Sequence, residues 1–318
     1  MTETSTSPPH SPQNRARPGQ RLAKLLLQNP VTVKELRSRM RGARSVTVLT
    51  IYLALLSGFI TIVYLIYASA ANEPFGPDPR KAGQPIFGIV LGIQVLLVTF
   101  LAPSFTASAI SGEKERQTYD LLRTTLLSAN ALVFGKLLSA LSYVFLLILA
   151  SVPLQSIAFL LGGISPVELV ISQLLILVSA VTFALLGLFF SSLARGTLAA
   201  SVSTFASSLF FTFGLPTLLL MFVGFLGAFL FSGTTSPWQD ALLLYGGMLL
   251  AAFNLPATII FSEVVLREEN AVFIFSQSFG STTYYYLSPW VLYLIIYTLL
   301  ALLLYWMCVR LVRRIAIR

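Results

Sequence analysis

The chain has 318 residues, 56% hydrophobic and only 10% charged, with a mean hydropathy of +0.82. Soluble domains carry about 25% charged residues, so a water-soluble globular protein is excluded and lipid must be the solvent for most of the chain. The formal net charge of +9 belongs mainly to basic residues flanking apolar segments, nine of the 21 lying before residue 45; that pattern orients a membrane protein and does not form the basic stripe of a nucleic-acid binder.

Residues 1–19 hold four prolines, several serines and the single histidine, His10, and read as a disordered tail. They lack the short apolar core and cleavage site of a secretory signal, so the first span is expected to be internal and uncleaved. Residues 20–44 read as an interfacial helix. Asn29-Pro30 supplies a start, Val33, Leu36 and Met40 recur at helical spacing, and Lys34, Arg37, Arg41 and Arg44 take other faces, with Glu35 among them. A basic amphipathic helix of this kind lies on an anionic leaflet.

Six stretches then meet the criterion of about 20 apolar residues: 46–68, 85–110, 131–161, 166–193, 197–231 and 286–309. The fold class is therefore an all-α polytopic helix bundle, with residues 45–318 as its membrane domain. With Arg44 inside, the inner side holds 18 basic residues and the outer side three, Arg80, Lys81 and Arg267. This positive-inside bias puts both termini in the cytoplasm. A seventh apolar stretch, 241–262, follows a capped start at Ser236-Pro237. If the fifth span breaks at Gly214-Leu215-Pro216, that stretch crosses and the spans number eight. If it does not, residues 236–283 form an outer-face hairpin, which must be buried in protein; six is favoured because 16-residue spans are at the short limit. Ser288-Pro289 repeats the capped start for the last helix. Tyr284, Tyr285, Tyr286, Trp290 and Trp238 would form the outer aromatic belt, and Tyr305 with Trp306 the inner one.

Little in the spans suggests chemistry. The lone Cys308 rules out an internal disulfide and reads as an apolar filler. No G-x-x-x-x-G-K-[ST] loop or H-E-x-x-H occurs; Gly135-Lys136 is the nearest phosphate-loop fragment. Glu168, three residues after Ser165-Pro166, is accounted for by a capping box. Gln94, Gln155, Gln173 and Asn254 are polar residues suited to bonding between helices, and Gly88 with Gly92 form a G-x-x-x-G pair that signals close helix packing.

The informative loop is 111–130, SGEKERQTYDLLRTTLLSAN. Ser111 is read as its cap, Glu113 and Glu115 complement the helix N-terminus, and Tyr119, Leu122 and Leu126 recur at helical spacing. The expectation is one amphipathic helix over 111–128 on the cytoplasmic face. A solvated loop needs no apolar face, so this face should dock, either on the spans or on a soluble partner.

Two motifs carry a resemblance. Asn29-Pro30, Lys34-Glu35-Leu36-Arg37 and Arg39-Met40-Arg41 before the first span look like the start of ABC-2 type permease subunits. Glu113-Lys114-Glu115-Arg116-Gln117-Thr118, Leu121-Leu122, Thr124-Thr125, Leu127-Ser128 and Gly135-Lys136 resemble that family's most recognisable stretch, with Gln117 where Gly is usual and Leu126 where Pro is usual. The resemblance implies an export permease of a bacterial cytoplasmic membrane. Such a chain pairs with a second permease subunit, as a homodimer or heterodimer, and with a separate ATP-binding subunit that holds ATP and Mg. It also implies ATPase contacts by the interfacial helix (Lys34, Glu35, Arg37, Arg41) and by the loop (Glu113, Lys114, Glu115, Arg116, Thr118, Tyr119, Leu122). The chain itself would bind no cofactor and would not be an enzyme. Two other classes remain open: a stand-alone secondary transporter or channel, for which Glu168 is the acidic candidate, and a scaffold recruiting partners through 20–44 and 111–128.

Overall fold

Lipid offers no hydrogen bonds, so each apolar run must satisfy its backbone internally, and helices result. A computed structural model describes residues 43–73, 75–117, 128–230, 237–269, 271–279 and 282–317. The tail, almost all of the interfacial helix with Lys34, Glu35, Arg37 and Arg41, and residues 118–127 with Thr118, Tyr119 and Leu122 lie outside them.

The helices in order are α1 (Ala43–Ala71), α2 (Gly83–Ala107), the short α3 (Ser111–Glu115), α4 (Ala129–Leu160), α5 (Pro166–Leu193), α6 (Thr197–Leu209), α7 (Leu215–Leu230), α8 (Pro237–Ala251), α9 (Leu255–Glu268) and α10 (Pro289–Ile317). Six are long and apolar enough to cross a membrane: Val46–Ala71, Gly83–Glu115, Ala129–Leu160, Pro166–Leu193, Thr197–Leu218 and Pro289–Arg313. The chain is a multi-pass membrane helix bundle. The second of these stretches has 33 residues, far more than the hydrocarbon core requires, so its charged last turn extends past the span.

Helix α5 is the hub, packed against α2, α4, α6, α9 and α10. Its buried side chains are small where neighbours come close. A Cβ on Gly187 would sit 2.1 Å from Thr106 Oγ1 and 3.0 Å from the Pro103 carbonyl of α2. Gly83, at the start of α2, approaches α4 as closely, since its Cβ would lie 2.0 Å from the Ala158 carbonyl. Gly162 and Gly163, with φ of +87° and +84°, make the turn into α5. Small residues of this kind let membrane helices pack where the hydrophobic effect supplies no driving force. Gly88 and Gly92 do not serve this purpose within the chain, contrary to the reading of their spacing: a Cβ on either meets nothing within 4 Å. Helix α1 is peripheral and touches the core through one stripe, Tyr52, Leu56 and Ile60, at i+4 spacing.

The fifth span does not break at Gly214-Leu215-Pro216. Helix α6 runs into one π-helical turn, Phe210–Gly214, and continues as α7. The π turn absorbs the proline. Residues 241–262 are not one span either. They form α8, of 15 residues, and α9, of 14, joined at 252–254. At 1.5 Å per residue each arm is about 22 Å long, short of a core about 30 Å thick.

One element departs from the all-α expectation. Strands β1 (Ile274–Phe279) and β2 (Thr282–Leu287) form an antiparallel hairpin over α8. The two six-residue runs, rich in aromatics and Thr and separated by Gly280-Ser281, carry this signal in the sequence. The strand period corrects the outer aromatic belt. Tyr286 turns inward, fully buried against Tyr245 and Phe275, while Tyr285 is 69% exposed on the other face. Trp290 is also buried, its indole donating to the Val272 carbonyl at 2.7 Å, and Trp238 stays exposed. Near the C-terminal end of α10, Arg310 stacks over exposed Trp306. Buried Cys308 packs against the Leu185 carbonyl as a filler. Helix α10 starts at Pro289 as expected, but the Ser288 hydroxyl caps nothing and its N–H donates to Phe273.

Candidate functional site

The charged run at the end of α2 is built into the bundle. Three turn residues, 108–110, redirect the chain after α2, and α3 follows. Ser111 does not cap it: its hydroxyl bonds back to the Ala107 carbonyl. The buried N–H groups of Ile110 and Ser111 instead donate to the Ser191 hydroxyl of α5, at 2.9 and 3.0 Å. Glu113 pairs with Lys136 of α4 at 2.6 Å, and the same ammonium donates to the Ala109 carbonyl at 2.7 Å. Lys136 is 5% exposed, so this is an ion pair withdrawn from water, with both partners needed. Lys114 donates to the carbonyls of Ser192 and Ala194 at the C-terminal end of α5, at 2.5 and 3.0 Å, where a cation complements the helix dipole. Glu115 accepts from the backbone N–H and the hydroxyl of Thr197, at 2.7 and 2.9 Å, and so caps the N-terminus of α6.

Glu113, Lys114 and Glu115 therefore tie the ends of α4, α5 and α6 to α2 through one turn. Arg116 and Gln117 are exposed beyond it. Gln117 has φ of 55°, the left-handed conformation that favours glycine. The expected single helix over 111–128 thus stops at Glu115, because Gln117 turns the chain. The remainder, with Thr118, Tyr119 and Leu122, lies outside the described residues; Ser128 N-caps α4 through the Ala131 N–H at 3.3 Å. The partners Ser191, Ser192 and Thr197 were not singled out from sequence. The one available signal was a hydroxyl-rich stretch, Ser191-Ser192 to Thr197, beside Arg195.

Mid-bundle, the glutamines bond between helices as their type suggests. Gln155 of α4 donates to Gln94 Oε1 of α2 at 2.9 Å, and Gln173 of α5 donates to Gln94 and Gln155 at 3.1 and 2.7 Å. Gln94 also bonds Ser151. Asn254 does more than link helices. Its Oδ1 caps α9 through the Ala257 N–H at 3.0 Å, while its Nδ2 donates to the carbonyls of Phe211 and Thr212, at 3.0 and 2.7 Å. Neither carbonyl has its usual i+4 donor. The Leu215 N–H is given to Phe210, and residue 216 is a proline with no N–H. The hairpin tip is satisfied in the same way, with Tyr297 donating to the Phe253 carbonyl at 2.9 Å and Thr258 to that of Ala251 at 2.8 Å.

At the opposite end from α3, Ser165 caps α5 through the Glu168 N–H at 3.2 Å, and Glu168 is 4% exposed. Glu168 has a second partner, Arg267 of α9, which binds its Oε2 at 3.1 and 3.2 Å. Glu263 lies 3.5 Å from the same guanidinium. Burial raises the Glu263 carboxyl above the usual carboxylate range; Arg267 opposes this and Glu168 adds to it. Among the described residues no group of three or more His, Cys, Asp or Glu could hold a metal ion.

No protein-family model matches the chain, and no curated protein matches it.

Proposed function

We propose that this chain is the membrane-spanning permease subunit of an ABC-2 type exporter in a bacterial cytoplasmic membrane, working as a dimer with a separate ATP-binding subunit. The observation that carries this reading is the turn Glu113-Lys114-Glu115. Each of its three side chains holds the end of a different span, so a push on this turn would reach α4, α5 and α6 together. That is the mechanical property a coupling element needs: ATP binding in a partner would displace the turn, and the bundle would move with it. The side chains themselves are engaged within the chain, so a docking partner would meet the surface at Arg116 and beyond. The three charged residues then transmit the motion and do not form the contact. Glu168, the acid on which a stand-alone carrier would depend, is held by Ser165 and Arg267.

Coexpression with the ATP-binding protein of a neighbouring gene tests the reading. The expected result is copurification and vanadate-sensitive ATPase activity in liposomes. Glu113→Ala with Glu115→Ala is expected to uncouple that activity from the permease while the complex still assembles. Unchanged coupling in that variant would refute the role given to the turn.

A further inference from the structure

Against the flank of α2, on the side of the hairpin, is a cavity of about 590 Å³, within the range of drug-sized ligand sites, about 300–1,000 Å³. Its walls come from α1 (Phe59), α2 (Gly88 and Gly92), the π turn (Phe213) and α9 (Ile260 and Glu263). The two glycines are what keep it open. No atom lies within 4 Å of where their Cβ atoms would be, so their missing side chains leave volume and do not admit a neighbouring helix. The lining is apolar apart from Glu263, and the rim is accessible, with Ile260 61% exposed.

Glu263 is only partly matched by its own protein. Two carboxylates, Glu168 and Glu263, share the guanidinium of Arg267. Glu168 takes the short bonds, at 3.1 and 3.2 Å, and Glu263 Oε2 is left at 3.5 Å. Glu263 Oε1 is buried with no hydrogen-bond partner. A buried, unpaired carboxylate oxygen is costly unless it takes up a proton or something supplies the missing positive charge. Two carboxylates share one guanidinium beside an apolar cleft, so a ligand's positive charge would meet the carboxylate that Arg267 leaves only partly matched, and the cleft would select by charge as well as shape.

We propose that this cleft is a binding site for a lipophilic cation, an apolar body bearing one positive charge, which is met by Glu263. A lipid acyl chain would fill the cleft but leave Glu263 unmatched. A second copy of the chain packed on Gly88 and Gly92 would do the same. The site needs no ATP-binding partner, so it stands or falls separately from the exporter reading: a chain that binds the cation without coupled ATPase activity overturns the exporter, not the site.

The test uses two probes of nearly identical shape and opposite charge, tetraphenylphosphonium and tetraphenylborate, with the full chain in nanodiscs. Saturable, competable binding is measured above partition into empty discs. The wild-type chain is expected to bind the phosphonium and discriminate against the borate. Glu263→Gln is expected to weaken phosphonium binding by about tenfold and remove the discrimination. Gly92→Leu, whose Cβ meets no atom of this chain within 4 Å and whose longer side chain would occupy the cleft, is expected to abolish binding while leaving the elution profile and thermal melting unchanged. Equal binding of both ions, as a lipid groove would give, overturns the proposal. So does an unaltered Glu263→Gln variant, absence of saturable phosphonium binding, or a Gly92→Leu chain whose only defect is loss of dimer.

Discussion

Gln117 adopts φ of 55°, a conformation that strains a side chain and suits glycine. Gln117→Gly is expected to stabilise the full chain by about 0.5–1 kcal/mol, the strain relieved less the extra freedom of glycine in the unfolded state. A thermal melt in detergent would show it as a raised midpoint. From sequence the position registered only as a departure from a glycine usual in the resembling family. Its meaning depends on a backbone angle, set by how α3 is anchored on Ser191, Lys136 and Thr197. The charges of Glu113 and Glu115 were legible as a helix-dipole pattern, yet their partners were not, because Lys136 and Thr197 lie 23 and 82 positions away in the chain. Glu168 shows the same division: its Ser165 cap is local and was readable, while Arg267 is 99 positions away and was not.

Elements in this bundle end and bend where polar side chains permit it. Asn254 is the pivot, serving α9 as its cap and the fifth span as donor to two carbonyls that Pro216 and the π turn leave without their i+4 donors. Asn254→Ala would strand both carbonyls and an N-terminal N–H in a site only 1% exposed. The expected cost is about 2–4 kcal/mol, measured by reversible unfolding in mixed micelles. Glycine spacing gave a false lead at this scale. Gly187→Ala would force a Cβ to 2.1 Å from Thr106 Oγ1 and is expected to cost about 1–3 kcal/mol through overpacking. Gly88→Ala is expected to melt within about 0.5 kcal/mol of the wild type in the same assay, since nothing in the chain opposes its Cβ. The G-x-x-x-G pattern marks which helix face is small; it does not say whether a helix or an open cleft lies against it.

Across the whole molecule, the topology expected from the positive-inside count, with both termini in the cytoplasm, predicts opposite accessibility for the two ends of the bundle. In a Cys308→Ala background, Arg116→Cys is expected to react with an impermeant maleimide only in inside-out vesicles, and Ser276→Cys, on the exposed face of β1, only in right-side-out cells. The sequence by itself determined the solvent and the count of long spans. These follow from composition and from the length of apolar runs, which the bilayer reads one segment at a time. Only the tertiary structure decided that Pro216 sits in a span without ending it, that 241–262 folds as two short arms, and that Gly88 and Gly92 face a cleft beside Glu263. Each of those outcomes turns on a donor or a gap contributed by another helix: Asn254 for the two carbonyls of the π turn, Tyr297 for the hairpin tip, and a missing neighbour for the glycines. Pairings between distant helices leave no periodicity in either partner's own sequence.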